Sequence, residues 1–349
     1  MKVSIGTNIK EGPWGGGNLF AKNLTKNLLK QGHKVVYDLA DDDIDLILIT
    51  EPRKTSESSA FTHIDVIKYL KYINNKALVI HRINECDERK NTSFVNKYLI
   101  HANLIADQTV YVSKWIMDLY IKQGIKSKRN KVIYAGADES IFYPNFKKAS
   151  NKSKKLKVCT HHWGDNWNKG FDAYVLLDSL LSKTKWKDVV EFTYIGKVNK
   201  NANFINTKVI SPISGKKLAE ELRSQDFYIT GSINEPSGNH HIEAAQCGLP
   251  IMYINSGGVG EYCNGFGIEY NLSNFEEKLN KMIQDLEVQR LSIQEYPFSS
   301  EKMCNEYIDL FNDLLKKSDE IFQERNILKT NYFEKNIYKF VRSLKKNFL

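Results

Sequence analysis

Short apolar runs recur along the chain, each followed by a polar loop and then by apolar residues at helical spacing. Lys2–Gly6, Val35–Tyr37, Ile44–Ile49, Ala77–Ile80, Thr109–Val112 and Lys131–Tyr134 predict strands in the first half. Val158–Thr160, Glu191–Ile195, Thr207–Ile210, Phe227–Ile229 and Pro250–Ile254 predict strands in the second. Runs without polar alternation belong to strands buried on both faces, as in parallel sheets covered by helices. Between them, Leu19, Phe20, Leu24, Leu28 and Leu29 trace one face of a helix that ends at Gly32. Further helices are predicted over Trp115–Tyr120, Phe171–Leu181, Lys216–Ser224, Phe275–Leu286 and Glu301–Leu315. At 349 residues the chain exceeds one ordinary core and suits two α/β domains.

The stretch Asp226–Glu261 carries the most chemistry. An apolar strand, Phe227–Ile229, leads into a loop of Gly, Ser, Asn and Pro that holds Glu235. A helix start at Ile242–Ala245 and a strand at Pro250–Ile254 follow, closed by Gly257-Gly258. Strand, loop and helix start in that order make an anion site, because first-turn N–H groups and the helix dipole point out of the sheet edge. Two carboxylates flank it, Glu235 in the loop and Glu243 in the first turn. A buried carboxylate needs donors, and sugar hydroxyls are good ones.

Spacing and flanks, Glu235-Pro236-x-Gly238, Ala244-Ala245, Cys247-Gly248-x-Pro250 and Gly257-Gly258-x-x-Glu261, resemble the glutamate–seven residues–glutamate signature of retaining glycosyltransferases with the GT-B fold, family 4 most closely. The resemblance implies two Rossmann-like doubly wound parallel-sheet domains facing across a cleft. It implies that Glu235 faces the donor sugar, that Glu243 holds the ribose, and that Ser237, Gly238 and Asn239 lie along the diphosphate. It also implies no metal and no cofactor, the substrate being a UDP- or GDP-linked sugar. Glu11-Gly12-Pro13-Trp14-Gly15-Gly16-Gly17-Asn18, directly after the first strand, matches the family's amino-terminal motif, and Gly15, Gly16 and Gly17 would let backbone approach the donor closely. Lys169-Gly170, ahead of the helix from Phe171, matches the family lysine that pairs with the diphosphate. The family places an arginine five residues earlier, where this chain has Gly164; His161, His162 or Trp163 is a candidate substitute, and His162 is assigned to the donor side. Helix N–H groups are the alternative.

The run Ala77–Ile80 delivers His81, Arg82, Asn84 and Glu85 at a strand's carboxyl end, the edge that faces the cleft in doubly wound folds. The resemblance implies His81 near the donor sugar, positioning rather than abstracting a proton, with Arg82, Asn84 and Glu85 on the acceptor side. Asp41–Asp43 reads as a solvated loop before a strand, and the adjacent His161 and His162 alternate across a strand, so neither suggests a metal.

Charge refines the partners. Six lysines and no acid fall in 145–157, and 325–349 carries seven basic residues against one acid. These segments hold twelve net positive charges against +9 for the chain, so the remainder is net −3 and is no basic platform for nucleic acid. The first segment reads as a linker. Expected boundaries are therefore 1–145 for the acceptor-side domain, 146–157 for the linker, 158–298 for the donor-side domain, and 299–349 for terminal helices, the first of which returns to the first domain. In the tail, Phe333, Ile337, Phe340, Val341, Leu344 and Phe348 share a helical face opposite Lys335, Lys339, Arg342, Lys345 and Lys346. Such a helix suits an anionic membrane surface, or packing on protein.

Five scattered cysteines without a Cys-x-x-Cys pair, no apolar run long enough to span a bilayer, and a first segment lacking a signal-peptide core lead to an expected cytoplasmic protein, peripheral at the membrane's inner face. The expected activity is transfer of a sugar from a nucleotide diphosphate sugar to a glycan or lipid-linked glycan in cell-surface polysaccharide synthesis. A nucleotide-sugar epimerase of the same fold and a non-catalytic nucleotide-sugar-binding protein are the alternatives.

Overall fold

The computed structural model describes residues 1–12, 15–144, 155–325 and 334–338. Among the described residues, twelve strands form two parallel six-stranded sheets. The first sheet contains β1 (Lys2–Ile5), β2 (Lys34–Val36), β3 (Leu46–Ile49), β4 (Leu78–Ile83), β5 (Gln108–Tyr111) and β6 (Asn130–Val132), in the order β2-β1-β3-β4-β5-β6. The second contains β7 (Leu156–His162), β8 (Val190–Gly196), β9 (Lys208–Ile210), β10 (Phe227–Thr230), β11 (Ile251–Tyr253) and β12 (Gly267–Glu269), in the order β12-β11-β10-β7-β8-β9. Every residue of β3, β4, β5, β10 and β11 is buried, which is why the sequence shows apolar runs there, although β4 also buries His81 and Arg82 and β5 buries Gln108. Strand β12 gave no such signal. It is a short edge strand, and a side chain at its Gly267 would strike the Ile251 carbonyl.

Each sheet is covered on both faces. Leu78 and Ile80 of β4 face Phe20, Leu24 and Leu28 of the helix Gly16–Lys30 and Tyr307 and Phe311 of the helix Ser300–Lys316. The late helix therefore builds the core of the first lobe. Val79, one residue out of phase, faces Val66 and Tyr69 of the helix His63–Tyr72. In the second lobe Tyr228 and Ile251 pack toward the helix Asn239–Gln246, while Phe227, Ile229 and Met252 pack toward Phe171–Leu180 and Phe275–Gln284.

Two crossings tie the lobes together. Ala135, Ala137 and Phe142 lie in the second lobe's core. The return strand of chain runs beside them: Ala137 N–H donates to Phe298 O at 3.3 Å, and Ser300 N–H donates to Ala137 O at 2.7 Å. A Cβ on Gly136 would come within 2.1 Å of Ser299 O, so only glycine allows the two segments to touch. The predicted basic linker lies outside the described residues apart from 155–157, and so does the tail apart from 325 and 334–338. Those two pieces contact the first lobe. Arg325 pairs with Asp107 while donating to Ala77 O, and Tyr338 stacks on Tyr72 with centroids 4.6 Å apart. Among the described residues no helix is long and apolar enough to cross a membrane.

Candidate functional site

In each sheet the strand order reverses next to the first strand of the lobe, between β1 and β3 and between β7 and β10. Loops leaving the carboxyl ends there diverge and open a crevice. In the second lobe these are the loops after β7 and β10, and they carry Lys169 and Glu235.

The two loops interlock through backbone. Gly170 (φ 106°) ends the short turn Trp167–Lys169, and a Cβ on it would lie 2.6 Å from the backbone of Gly231. Ile233 N–H donates to Asn168 O at 2.8 Å. Glu235 is pinned from behind, its carbonyl accepting from Gly258 N–H at 2.8 Å. So placed, Lys169 Nζ donates to Glu235 Oε2 at 2.5 Å, with Glu235 buried and Lys169 half-buried. Behind Lys169, Tyr174 donates to its carbonyl at 2.9 Å, and His162 Nε2 lies 2.6 Å from the Tyr174 hydroxyl. His162 thus supports the lysine loop from beneath.

The other oxygen of Glu235 meets the opposite lobe. Arg89 Nε, from the helix Asp87–Lys90, lies 3.1 Å from Glu235 Oε1. Its Nη1 donates to Glu85 Oε2 at 3.0 Å, and Lys90 Nζ holds the same oxygen at 2.8 Å. Burial alone would raise the Glu235 carboxyl, but Arg89 and then Lys169 outweigh it and hold it at about 2. Burial, followed by repulsion from Arg89, lowers Lys169. The Glu235 carboxyl is therefore ionised at neutral pH. Nothing in the sequence marks Arg89 for this place beyond its position four residues after Glu85.

The helix Asn239–Gln246 starts at Gly238 (φ 83°), and no side chain caps it. A Cβ on Gly238 would press on His241 Cε1 at 2.4 Å. Across the cleft, the helix Gly16–Lys30 also starts without a side-chain cap, at Gly15. A Cβ on Gly16 would lie 2.8 Å from Asn239 Oδ1, so the glycine turn of the first lobe touches the helix start of the second. Two positive helix ends converge there. Gly17 has open space beside it, and Pro13 and Trp14 lie outside the described residues. Ser237 is buried one residue before the cap.

Glu243 is buried one turn into the helix and accepts from His161 Nε2 at 3.0 Å. The Tyr228 hydroxyl sits 3.2 Å from His161 Nδ1 and sets the tautomer. His161, weighed only as a stand-in for an arginine, is therefore the residue that orients Glu243. His241, three residues on from Gly238, is wholly buried with an Nε2 that bonds to no described residue, and burial brings it to about 3. Gly164 has empty space around it and brings no charge.

The first-lobe cluster divides between the two faces of β4. His81 is wholly buried, with Nδ1 2.9 Å from Asn103 Oδ1, and burial lowers it to about 4. The charged groups that act on Glu235 do not act on it. Arg82, on the other face, lies under the Phe20 ring, its guanidinium carbon 4.0 Å from the centroid, and its Nε and Nη1 bond to no described residue. Glu85 joins the Arg89 network, and Asn84 is half-buried beside it. At the first-lobe switch point, Asn8, Ile9, Tyr37, Ser59 and Ala60 line a cavity of about 450 Å³.

No protein-family model matches the chain, and no curated protein sequence matches it. Solved structures do. HepE of Anabaena in complex with UDP-glucose superposes with a TM-score of 0.67 at 14% identity, over 90% of this chain and 100% of that one. A glycosyltransferase from Rickettsia africae gives 0.65 at 14% identity, over 90% and 98%. Sucrose-phosphate synthase from Thermosynechococcus elongatus gives 0.63 at 12%, over 90% and 99%. At such identities the likeness is one of architecture, and the two facing parallel sheets are those of the GT-B glycosyltransferase fold.

Proposed function

We propose that the protein is a retaining, metal-independent glycosyltransferase that moves a sugar from a nucleotide diphosphate donor, UDP- or GDP-linked, to a glycan or lipid-linked glycan. The observation that carries this reading is the Lys169–Glu235 ion pair, its carboxylate buried, beside a helix start that no side chain caps. A diphosphate at that helix start receives N–H donors and the helix dipole, with Lys169 alongside. The similar HepE structure was determined with UDP-glucose, which fits the same donor class.

In the proposed reaction the anomeric C–O bond to phosphate breaks, the acceptor oxygen forms the new bond on the same face, and its proton passes to the departing phosphate oxygen. No separate base is required. Charge gathers on the diphosphate as the bond breaks, and Lys169 and the helix N–H groups stabilise it more than the ground state. Each charge-assisted hydrogen bond contributes about 1.5–3 kcal/mol. Glu235 orients sugar hydroxyls and Glu243, steadied by His161, takes the ribose. Ser237, Gly238 and Asn239 line the diphosphate, with Gly15–Gly17 closing from the other lobe and His81 and His162 supporting the two walls. Asn84 and Glu85 are assigned to the acceptor side, with Arg82, packed under Phe20, backing that wall, and the acceptor's hydroxyls suit the cavity at Asn8 and Ser59.

A thermal-shift screen of nucleotide sugars, followed by product analysis with donor alone and with glycan acceptors, tests the reading. A glycosidic product with the donor's anomeric configuration is expected. A free isomer formed without acceptor would replace it with an epimerase, and binding without turnover would leave a carrier. Polysaccharide synthesis at the inner face of the membrane is the proposed setting. Removing residues after 325 should abolish liposome co-sedimentation, and unchanged co-sedimentation ends the membrane part.

A further inference from the structure

We propose that Arg89, carried by the first lobe, is a second cation of the diphosphate site and completes that site only when the lobes are closed. This rests on the donor reading above. A departing nucleoside diphosphate carries at least two negative charges. Lys169 is the only second-lobe ammonium at the helix start described here, and its charge is offset by Glu235 at 2.5 Å. Arg89 Nε reaches the other oxygen of that carboxylate at 3.1 Å, so the two cations flank one group. A phosphate against Lys169 therefore lies within reach of the guanidinium.

Arg89 is only partly committed where it stands. Its Nε is buried and its contact with Glu235 is ionic, at an angle that falls short of a hydrogen bond. Glu85 does not depend on it, because Lys90 Nζ holds Glu85 Oε2 at 2.8 Å. The cluster as a whole, Arg89, Lys90 and Lys169 against Glu85 and Glu235, has one positive charge in excess, as an anion site requires. A guanidinium that gave up Glu235 for phosphate oxygens would gain the paired donors that its planar fork presents.

Position makes the cation conditional. The helix Asp87–Lys90 is docked on the loops that bear Lys169 and Glu235: Asn168 Nδ2 donates to Arg89 O, and Asn234 Nδ2 to Glu88 O, each at 3.3 Å. Separation of the lobes withdraws Arg89 from the site with its helix. Lys169 and the helix start remain, enough to bind the donor but one charge short for bond cleavage. Closure thus becomes a condition for turnover.

The test is calorimetry and kinetics on the full chain with Arg89→Gln and Arg89→Lys, using UDP, GDP, the matching nucleosides and inorganic pyrophosphate. Arg89→Gln is expected to weaken the preferred nucleoside diphosphate and pyrophosphate by roughly tenfold or more, in line with one charge-assisted hydrogen bond. Nucleoside affinity should stay unchanged, and kcat should fall more than KM rises. Arg89→Lys should recover part of the diphosphate affinity. Equal losses for nucleoside and diphosphate would make Arg89 a structural clamp and overturn the proposal, as would undiminished diphosphate binding in Arg89→Gln. If the unaltered protein binds no nucleoside diphosphate, the transferase reading itself falls. Binding that ignores the substitution sinks Arg89 alone.

Discussion

The Glu261 carboxylate accepts from the backbone N–H of Trp115 at 2.7 Å, a helix-capping bond made from the opposite lobe. Its other oxygen takes the N–H of Lys114 at 2.7 Å, while Ser113 caps the same helix from within by accepting from Ile116 N–H at 3.3 Å. A carboxylate at a helix start is favourable, and here it also ties the second lobe to the first. Glu261→Ala should destabilise the protein by about 1–3 kcal/mol, the cost of leaving helix-end donors without a charged acceptor. Urea unfolding measures this. A midpoint equal to that of the unaltered protein would show that the bond contributes nothing.

The buried ion pair at the centre of the cleft should matter far more to turnover than to folding. Glu235→Ala and Lys169→Ala are each expected to lose at least about a hundredfold in transfer rate, the scale of losing one preorganised electrostatic contact. Circular dichroism should show both variants folded. Rates close to normal in both would refute the roles given to these residues.

Gly238 tests the helix start as an anion site. Alanine there must adopt φ near 83° with its Cβ against the His241 ring, so the first turn shifts. Gly238→Ala should weaken nucleoside diphosphate binding by tenfold or more, and the strained residue itself should cost only about 1–2 kcal/mol of stability. Titration with UDP and GDP, set beside a melting curve, separates the two effects.

Acid should unfold this protein through its histidines before its carboxylates. Burial lowers His81 to about 4 and His241 to about 3, and His162 and His240 go the same way. The unfolded chain then binds protons that the folded chain refuses, so stability is complete above the ordinary histidine value of 6.5 and falls as pH drops toward 4 and below. His81 alone accounts for about 3 kcal/mol over that window. Glu235, held near 2, adds its loss only below its ordinary 4.5. Urea midpoints from pH 7.5 to 4.5 should fall steadily, and His81→Asn should flatten the slope. A flat profile in the unaltered protein would count against neutral burial of these rings.

Much of the architecture is legible along the chain because its causes are local. Leu46–Ile49 reads as a strand sheltered on both faces, because the apolar run is too short for a buried helix and carries two β-branched residues. Gly170 and Gly238 mark left-handed turns before helices, and the polar stretch between Phe227 and Ile242 marks the loop that joins a strand to a helix at the sheet's edge. Those features depend on torsions and side-chain periods within a few residues.

What the chain order alone left undecided is which distant groups meet. Glu235 finds Lys169 at a remove of 66 residues, and Glu261 caps a helix 146 residues before it. Arg89 reaches Glu235 only because a four-residue helix of one lobe docks on two loops of the other. The first of these meets inside one lobe, where the loops after two adjacent strands interlock, whereas the contacts of Arg89 and Glu261 follow from how two separately packed sheets come together, an outcome governed by crossings at Gly136 and Ser299. Pattern therefore determined the sheets and the loops at their edges, while docking decided the electrostatics of the cleft.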